Sequence, residues 1–160
     1  MVVTILAGCA GEVGPVPSDG RVPPDFAIEF MIRGNPDSRN PRTQWSRYVL
    51  EPNRGLRASF GRHAVVQTYP RFVRRLKHRE LERIYRHVTR HQLLAEPTSP
   101  RSETLETSKP PTDVIYDVSI DSAERRHRYA TTPEESPPTV SLLVLLMHLA
   151  GRGAPTDGSP

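Results

Sequence analysis

The sequence is short of several things, and each shortage excludes something. Its single cysteine leaves no intramolecular disulfide framework and no zinc site built on several thiolates. No apolar run approaches the 18 or more residues of a membrane-spanning helix, which excludes a polytopic helical membrane protein. None of the patterns G-x-S-x-G, H-E-x-x-H, G-x-G-x-x-G or G-x-x-x-x-G-K-[ST] occurs, so the common hydrolase, metalloprotease and nucleotide-binding signatures are missing. Hydrophobic residues, glycine not counted, make up only 36% of the 160 residues, against roughly 45–50% apolar usage, glycine included, in a typical globular domain, and the 17 prolines are about twice the average share. Part of the chain is therefore expected not to pack. The net charge of +4 is too small for the self-repulsion that keeps a whole chain disordered, so a modest core remains available.

The composition changes along the chain. Residues 10–24 and 96–112 are rich in Pro, Ser, Thr and Gly without apolar periodicity, and 151–160 is a tail of the same kind; these read as tether, loop and tail around one domain spanning 25–150. Lysine is nearly absent: only Lys77 and Lys109 occur, and every other basic residue is arginine. The positive charge is also local, with residues 61–100 carrying a net +6 and 101–160 a net −3.

Period-2 alternation marks the strands. In 26–33 the even positions Phe26, Ile28, Phe30 and Ile32 are large and apolar, while Glu29 and Arg33 point the other way. Residues 48–51 and 56–60 read as a hairpin around Pro52-Asn53-Arg54-Gly55, with Gly55 supplying the positive φ. A weaker extended stretch covers about 64–74, with Pro70 marking an edge or a break. A second hairpin joins Val114–Asp121 to Arg125–Thr131. Placing Ile120 opposite Arg125 sets Asp117 against Arg128, Ser119 against Arg126 and Tyr116 against Tyr129.

Two helices follow from 3.6-residue periodicity. From His78 to about Leu94, Leu81, Ile84, Tyr85 and Val88 fall at i, i+3, i+4 and i+7. The second starts at Ser136 as N-cap, with Pro137 at the first helical position, and ends at Gly151. It is apolar nearly all round and is expected to be the most buried element. The sum is an α+β fold: a two-layer domain with an antiparallel sheet of about four to six strands and two helices on one face, in the order ββ(β)αββα.

The cysteine stands in Ile5-Leu6-Ala7-Gly8-Cys9-Ala10. Leu-Ala-Gly-Cys resembles the lipobox of bacterial lipoproteins, in which an aliphatic residue and two small ones precede the acylated cysteine. The resemblance covers residues 2–9, and the tether after Cys9 suits it. It implies cleavage before Cys9, a lipid on its thiol and firm anchoring in the bacterial cell envelope, because two or more acyl chains hold where one is marginal. A signal peptide also needs a basic n-region and an apolar core of 7–15 residues. Residues 1–6 supply at most six suitable residues and no Lys or Arg. Export therefore calls for a start upstream of Met1, and without one the expected location is the cytoplasm.

The most conspicuous chemistry lies in the middle. Arg79, Arg83, Arg86 and Arg90 recur at spacings of four, three and four on the first long helix, a face able to bind phosphates or anionic headgroups. The plainer reading is a solvated helix face, and no nucleic-acid recognition signature accompanies it. His87 and His91, at i and i+4, could share a metal, but the arginines beside them oppose a divalent cation and no carboxylate completes a site. His127 and His148 read as structural histidines, and Trp45 as a packing residue at a strand start. Asp113, Asp117 and Asp121 lie about 13 Å apart along one strand, too far for paired carboxylate catalysis, and read as partners of Arg126 and Arg128. The expectation is a non-enzymatic binding or structural module, anchored through Cys9, with no metal or cofactor. Its partners would be the membrane and an unidentified envelope protein. The alternative is a cytosolic module that binds anions or nucleic acid through helix 78–94.

Overall fold

The structure, a computed structural model, describes residues 21–95 and 114–151. Cys9, the expected loop 96–112, Asp113 and most of the expected tether and tail lie outside these residues. The described part is an α+β fold: one open six-stranded antiparallel sheet with two main helices. The elements are β1 (Ala27–Arg33), β2 (Ser46–Leu50), β3 (Gly55–Phe60), α1 (Arg62–Val66), β4 (Arg71–Arg75), α2 (His78–Arg90), β5 (Ile115–Ser122), β6 (Arg125–Thr131) and α3 (Pro137–Leu149). The sheet order is β4-β3-β2-β1-β5-β6. β1 lies inside the sheet with one face inward: Ile28, Phe30 and Ile32 are buried while Ala27, Glu29, Met31 and Arg33 are only partly so. β2, β3 and β4 follow it as a meander on one side. The chain then crosses through α2 and returns to pair β5 with the other side of β1.

Two features of the first half differ from the sequence-based expectation. The positive φ of the β2–β3 turn belongs to Arg54, at 70°, not to Gly55. A Cβ at Gly55 would press on the carboxylate of Glu51 and the side-chain oxygen of Asn53, which accepts the Gly55 N–H at 2.7 Å. The extended stretch expected over 64–74 is split. Gly61, at φ 60°, turns the chain into the short helix α1, and only the part after Pro70 joins the sheet, as edge strand β4. The edge position agrees with the proline, which has no N–H to give to a neighbouring strand.

The β5–β6 hairpin is tighter than expected. Ser122 pairs with Arg125, Asp121 with Arg126, Ser119 with Arg128, Val118 with Tyr129 and Tyr116 with Thr131, a shift of two residues that keeps every side chain on its expected face. The whole connection is Ala123-Glu124, with φ of 52° and 63°. A two-residue turn of this kind normally calls for Asn-Gly, because a Cβ is strained at positive φ. The compensation comes from outside the hairpin: the Asp25 carboxylate accepts the Ala123 N–H at 3.0 Å and the Glu124 N–H at 2.6 Å. The charge pairing changes accordingly. Arg126 grips Asp121 with two hydrogen bonds of 2.5 and 2.8 Å, whereas Asp117 pairs with Arg33 of β1 at 2.5 Å rather than with Arg128. Burial nevertheless raises the Asp117 pKa, with the Arg33 charge opposing. Replacing Ala123-Glu124 by Asn-Gly is expected to stabilise the protein by about 1 kcal/mol, since the positive-φ strain disappears. Denaturant midpoints of the two proteins measure it, and an unchanged midpoint would show that Asp25 already cancels the strain.

Both helices lie on the face that carries Phe30, Tyr48, Tyr116 and Ile120. α2 turns Leu81, Ile84, Tyr85 and Val88 inward, and Tyr85 meets Phe26 edge-on with ring centroids 5.0 Å apart. α3 buries Thr139, Leu142, Leu143, Leu146, Met147 and Leu149. Its other flank is less covered than its composition suggests: Ser141 and His148 are exposed, and Val144 and Leu145 only partly buried. Ser136 occupies the N-cap position, but its hydroxyl bonds Thr139 Oγ1 at 2.8 Å, which in turn meets the Tyr129 hydroxyl at 3.2 Å. That chain fastens the start of α3 to β6. Val22 also packs against the core, so the domain begins slightly before residue 25.

One arginine sets the helices against each other. Arg74 of β4 donates through Nη2 to Glu80 Oε1 at 2.7 Å and through Nε to the Leu149 carbonyl at 2.9 Å. Glu80 also accepts the Lys77 N–H at 2.7 Å, satisfying one of the donors a helix start leaves open. The Arg74 hydrogen bond is the main reason that the Glu80 pKa is lowered. The start of α2 therefore sits by the end of α3. At the other end His87 reaches Pro138, so the helices run antiparallel.

Candidate anion-binding groove

The antiparallel helices leave a groove between their solvent-facing flanks, about 510 Å³ in volume. α2 contributes Arg83, Arg86, His87, Arg90 and His91, and α3 contributes Ser141, Val144, Leu145 and His148. The arginine positions follow from the helix pattern: with the i, i+3, i+4 stripe buried, the residues flanking it face α3 across solvent. Of the four arginines expected to form one anion-binding face, three line this groove. Arg79 is exposed on the same helix and is not part of the lining.

The electrostatics of the groove are one-sided. α2 carries only two acidic residues, and both are engaged elsewhere: Glu80 with Arg74 and Glu82 with His78 at 3.3 Å. Arg83, Arg86 and Arg90 have no acidic partner among the described residues. Part of this charge suits the C-terminal end of α2, where cations oppose the helix dipole. That accounts for Arg90 in the last turn, not for Arg83 in the middle.

The histidines are held in different ways. His87 donates its Nε2–H to the Pro138 carbonyl at 3.0 Å, which fixes Nδ1 as the free acceptor in the neutral ring. Its ring lies 4.5 Å from that of His91, centroid to centroid. Burial lowers the His87 pKa, the Pro138 bond opposes this, and the His91 charge adds to the lowering. A histidine with a depressed folded-state pKa takes up a proton more readily when unfolded, so stability falls as pH drops through the unfolded value near 6.5. The protein is expected to lose stability between pH 7.5 and 5.5, and His87→Gln to flatten that part of the profile. Urea midpoints across the range provide the check. His127, also depressed by burial, would leave a residual slope.

No group of three or more His, Cys, Asp or Glu residues that could hold a metal ion occurs among the described residues. His127 is half-buried on the inner face opposite Ile120, while His148 is exposed and lines the groove. Trp45 is partly buried, its N–H bonded to the Asn35 carbonyl and its carbonyl to the Gly61 N–H. The contribution of α3 was the part missed by reading α2 alone. Its signal was nevertheless present: Ser141 and His148 are seven residues apart, two turns along one stripe of an otherwise apolar helix.

No protein-family model matches the sequence, and no curated protein matches it. The chemistry of the groove is therefore the guide to function. Clustered guanidinium groups with no acidic partner, above a partly apolar floor, suit a compact anion such as a phosphate ester, which arginine recognises by paired N–H donors.

Proposed function

We propose that this protein is a small non-enzymatic binding module of the bacterial cell envelope, tethered to a membrane through a lipid on Cys9, and that the α2–α3 groove takes a phosphate-bearing anion. The observation that carries the binding site is the convergence of Arg83, Arg86 and Arg90 on one groove while the acids of α2 are engaged elsewhere. The anchor rests on the Leu-Ala-Gly-Cys run alone. Among the described residues no helix is long and apolar enough to cross a membrane.

The groove favours a compact phosphate over a nucleic-acid strand. Single-strand binding relies on aromatic platforms that stack bases, and no Phe, Tyr or Trp lines the groove. Phosphates could come from lipid headgroups or from a soluble ester, and two titrations separate the sources. In the first, the chain meets vesicles of phosphatidylcholine with and without phosphatidylglycerol. In the second, it meets soluble glycerol phosphate by calorimetry. Binding to the anionic vesicles alone identifies a headgroup site, and binding to both identifies a phosphate site. Binding to neither removes the reading. The anchor is tested separately by labelled fatty-acid incorporation in the producing bacterium, which should be abolished by Cys9→Ser. Absence of label in the unmodified chain would overturn the anchor without touching the groove.

A further inference from the structure

The five large apolar side chains that stand out in solvent among the described residues all fall between residues 65 and 73: Val65, Val66, Tyr69, Phe72 and Val73, with Val66 at 77% and Phe72 at 55% exposure. Apolar residues scattered singly on a surface need no explanation, but a contiguous group marks a contact surface. These lead into, and form, a strand at the edge of the sheet. β4 pairs with β3 on one side only, and α1 rests on β2 and β3, leaving the outer edge of β4 uncovered among the described residues. Leu56 and Arg57, adjacent on β3, face Arg74 and Phe72. Val73 is therefore the extra residue of a β-bulge, a device that re-aims side chains at a sheet edge.

The surface is held in place before any partner arrives. The Arg57 guanidinium lies 4.9 Å from the Tyr69 ring centroid and 5.7 Å from that of Phe72. Arg57 is itself paired with Glu51 at 2.9 Å, and the Tyr69 hydroxyl donates to the same Glu51 oxygen at 2.8 Å. Prior ordering of this kind lowers the entropy lost on binding. Arg71 and Arg75 stand exposed at the two ends of the strand, with no acidic partner among the described residues.

We propose that β4 accepts an extended acidic peptide as a seventh strand. Its backbone would satisfy the open edge, an apolar side chain would cover Phe72, and carboxylates would meet Arg75, on the same face as Phe72, and Arg71, opposite Ala58, on the other face. The charges argue against a second copy of this chain. The same edge of a second copy, Arg71–Arg75, would bring three more arginines and no carboxylate. The other edge, β6, exposes Arg125 and Arg128 but no large apolar side chain, so it offers charge without the apolar contact.

The test uses the full chain, labelled with nitrogen-15, and a capped heptapeptide of glutamate and valine with glutamates at both odd and even positions, so that each face of the strand carries a carboxylate. Binding is expected to shift the amide signals of Arg71–Arg75 and slow their hydrogen exchange. The peptide with lysine for glutamate is expected to bind at least ~10-fold more weakly, and N-methylation of alternate peptide amides to cost a similar factor. Arg71→Glu with Arg75→Glu should invert the preference between the two peptides, while Arg125→Glu leaves it unchanged. The proposal is overturned if the peptide protects β6 or the α2–α3 groove instead, or if N-methylation has no effect. It is equally overturned if sedimentation shows a dimer that Phe72→Asp dissociates.

Discussion

Phe30→Ala is expected to remove about 3–5 kcal/mol of stability, the range for truncating a buried phenylalanine to a methyl group. Phe30 sits midway along the central strand β1, is fully buried, and stacks at a tilt on Tyr116 of β5 with ring centroids 5.4 Å apart. The lost side chain is surrounded by elements that cannot easily close over the gap. β1 is held on both sides by β2 and β5, so the backbone has little freedom to move toward α2 or α3. A domain of this size has roughly 5–15 kcal/mol in total, so this variant is expected to sit near its unfolding threshold at 25 °C. Urea denaturation should show the midpoint falling by a large fraction with an unchanged slope. A loss below about 1 kcal/mol would mean that the core repacks around position 30.

Changing Arg83, Arg86 and Arg90 together to glutamine is expected to weaken phosphate binding by about 100-fold or more. Each charged hydrogen bond contributes about 1.5–3 kcal/mol when dry and less in an open groove, and each 1.4 kcal/mol is a factor of about ten. The salt dependence should flatten in the same variant, because the displaced counterions belonged to those three charges. Stability should change little, since the side chains are exposed and make no ion pair among the described residues. Arg79→Gln is the informative control. It removes an equal charge from the same helix at a position outside the groove, and is expected to leave affinity within about twofold. An equal loss for Arg79→Gln would mean that the helix binds as a diffuse cationic face and that the groove has no special role.

Much of the fold could be read from local pattern. The alternation of Phe26 to Arg33 identified the central strand, and the spacing of Leu81, Ile84, Tyr85 and Val88 identified α2, because side-chain periods of 2 and 3.6 are properties of the backbone itself. Turns were read less well. The Ala123-Glu124 turn looked longer because neither residue favours positive φ, and the carboxylate that makes the tight turn possible belongs to Asp25, about a hundred residues earlier. In the Arg54–Gly55 turn the positive φ falls on Arg54 and not on the glycine that composition points to.

The candidate groove was half legible. The arginine spacing along α2 was plain in the sequence, but it did not distinguish Arg79 from the three that converge, because that depends on which flank of α2 faces α3. Local pattern carries the class of fold, the inward faces of β1, β5, α2 and α3, and the place where positive charge collects. The antiparallel run of α2 and α3, the engagement of Glu80 and Glu82 away from the groove arginines, and the place of β4 at the end of the sheet with its apolar side chains in solvent come from the assembled fold. The reason is physical: burial periodicity is encoded residue by residue, whereas partners separated by tens of residues are chosen by packing, which no local pattern contains.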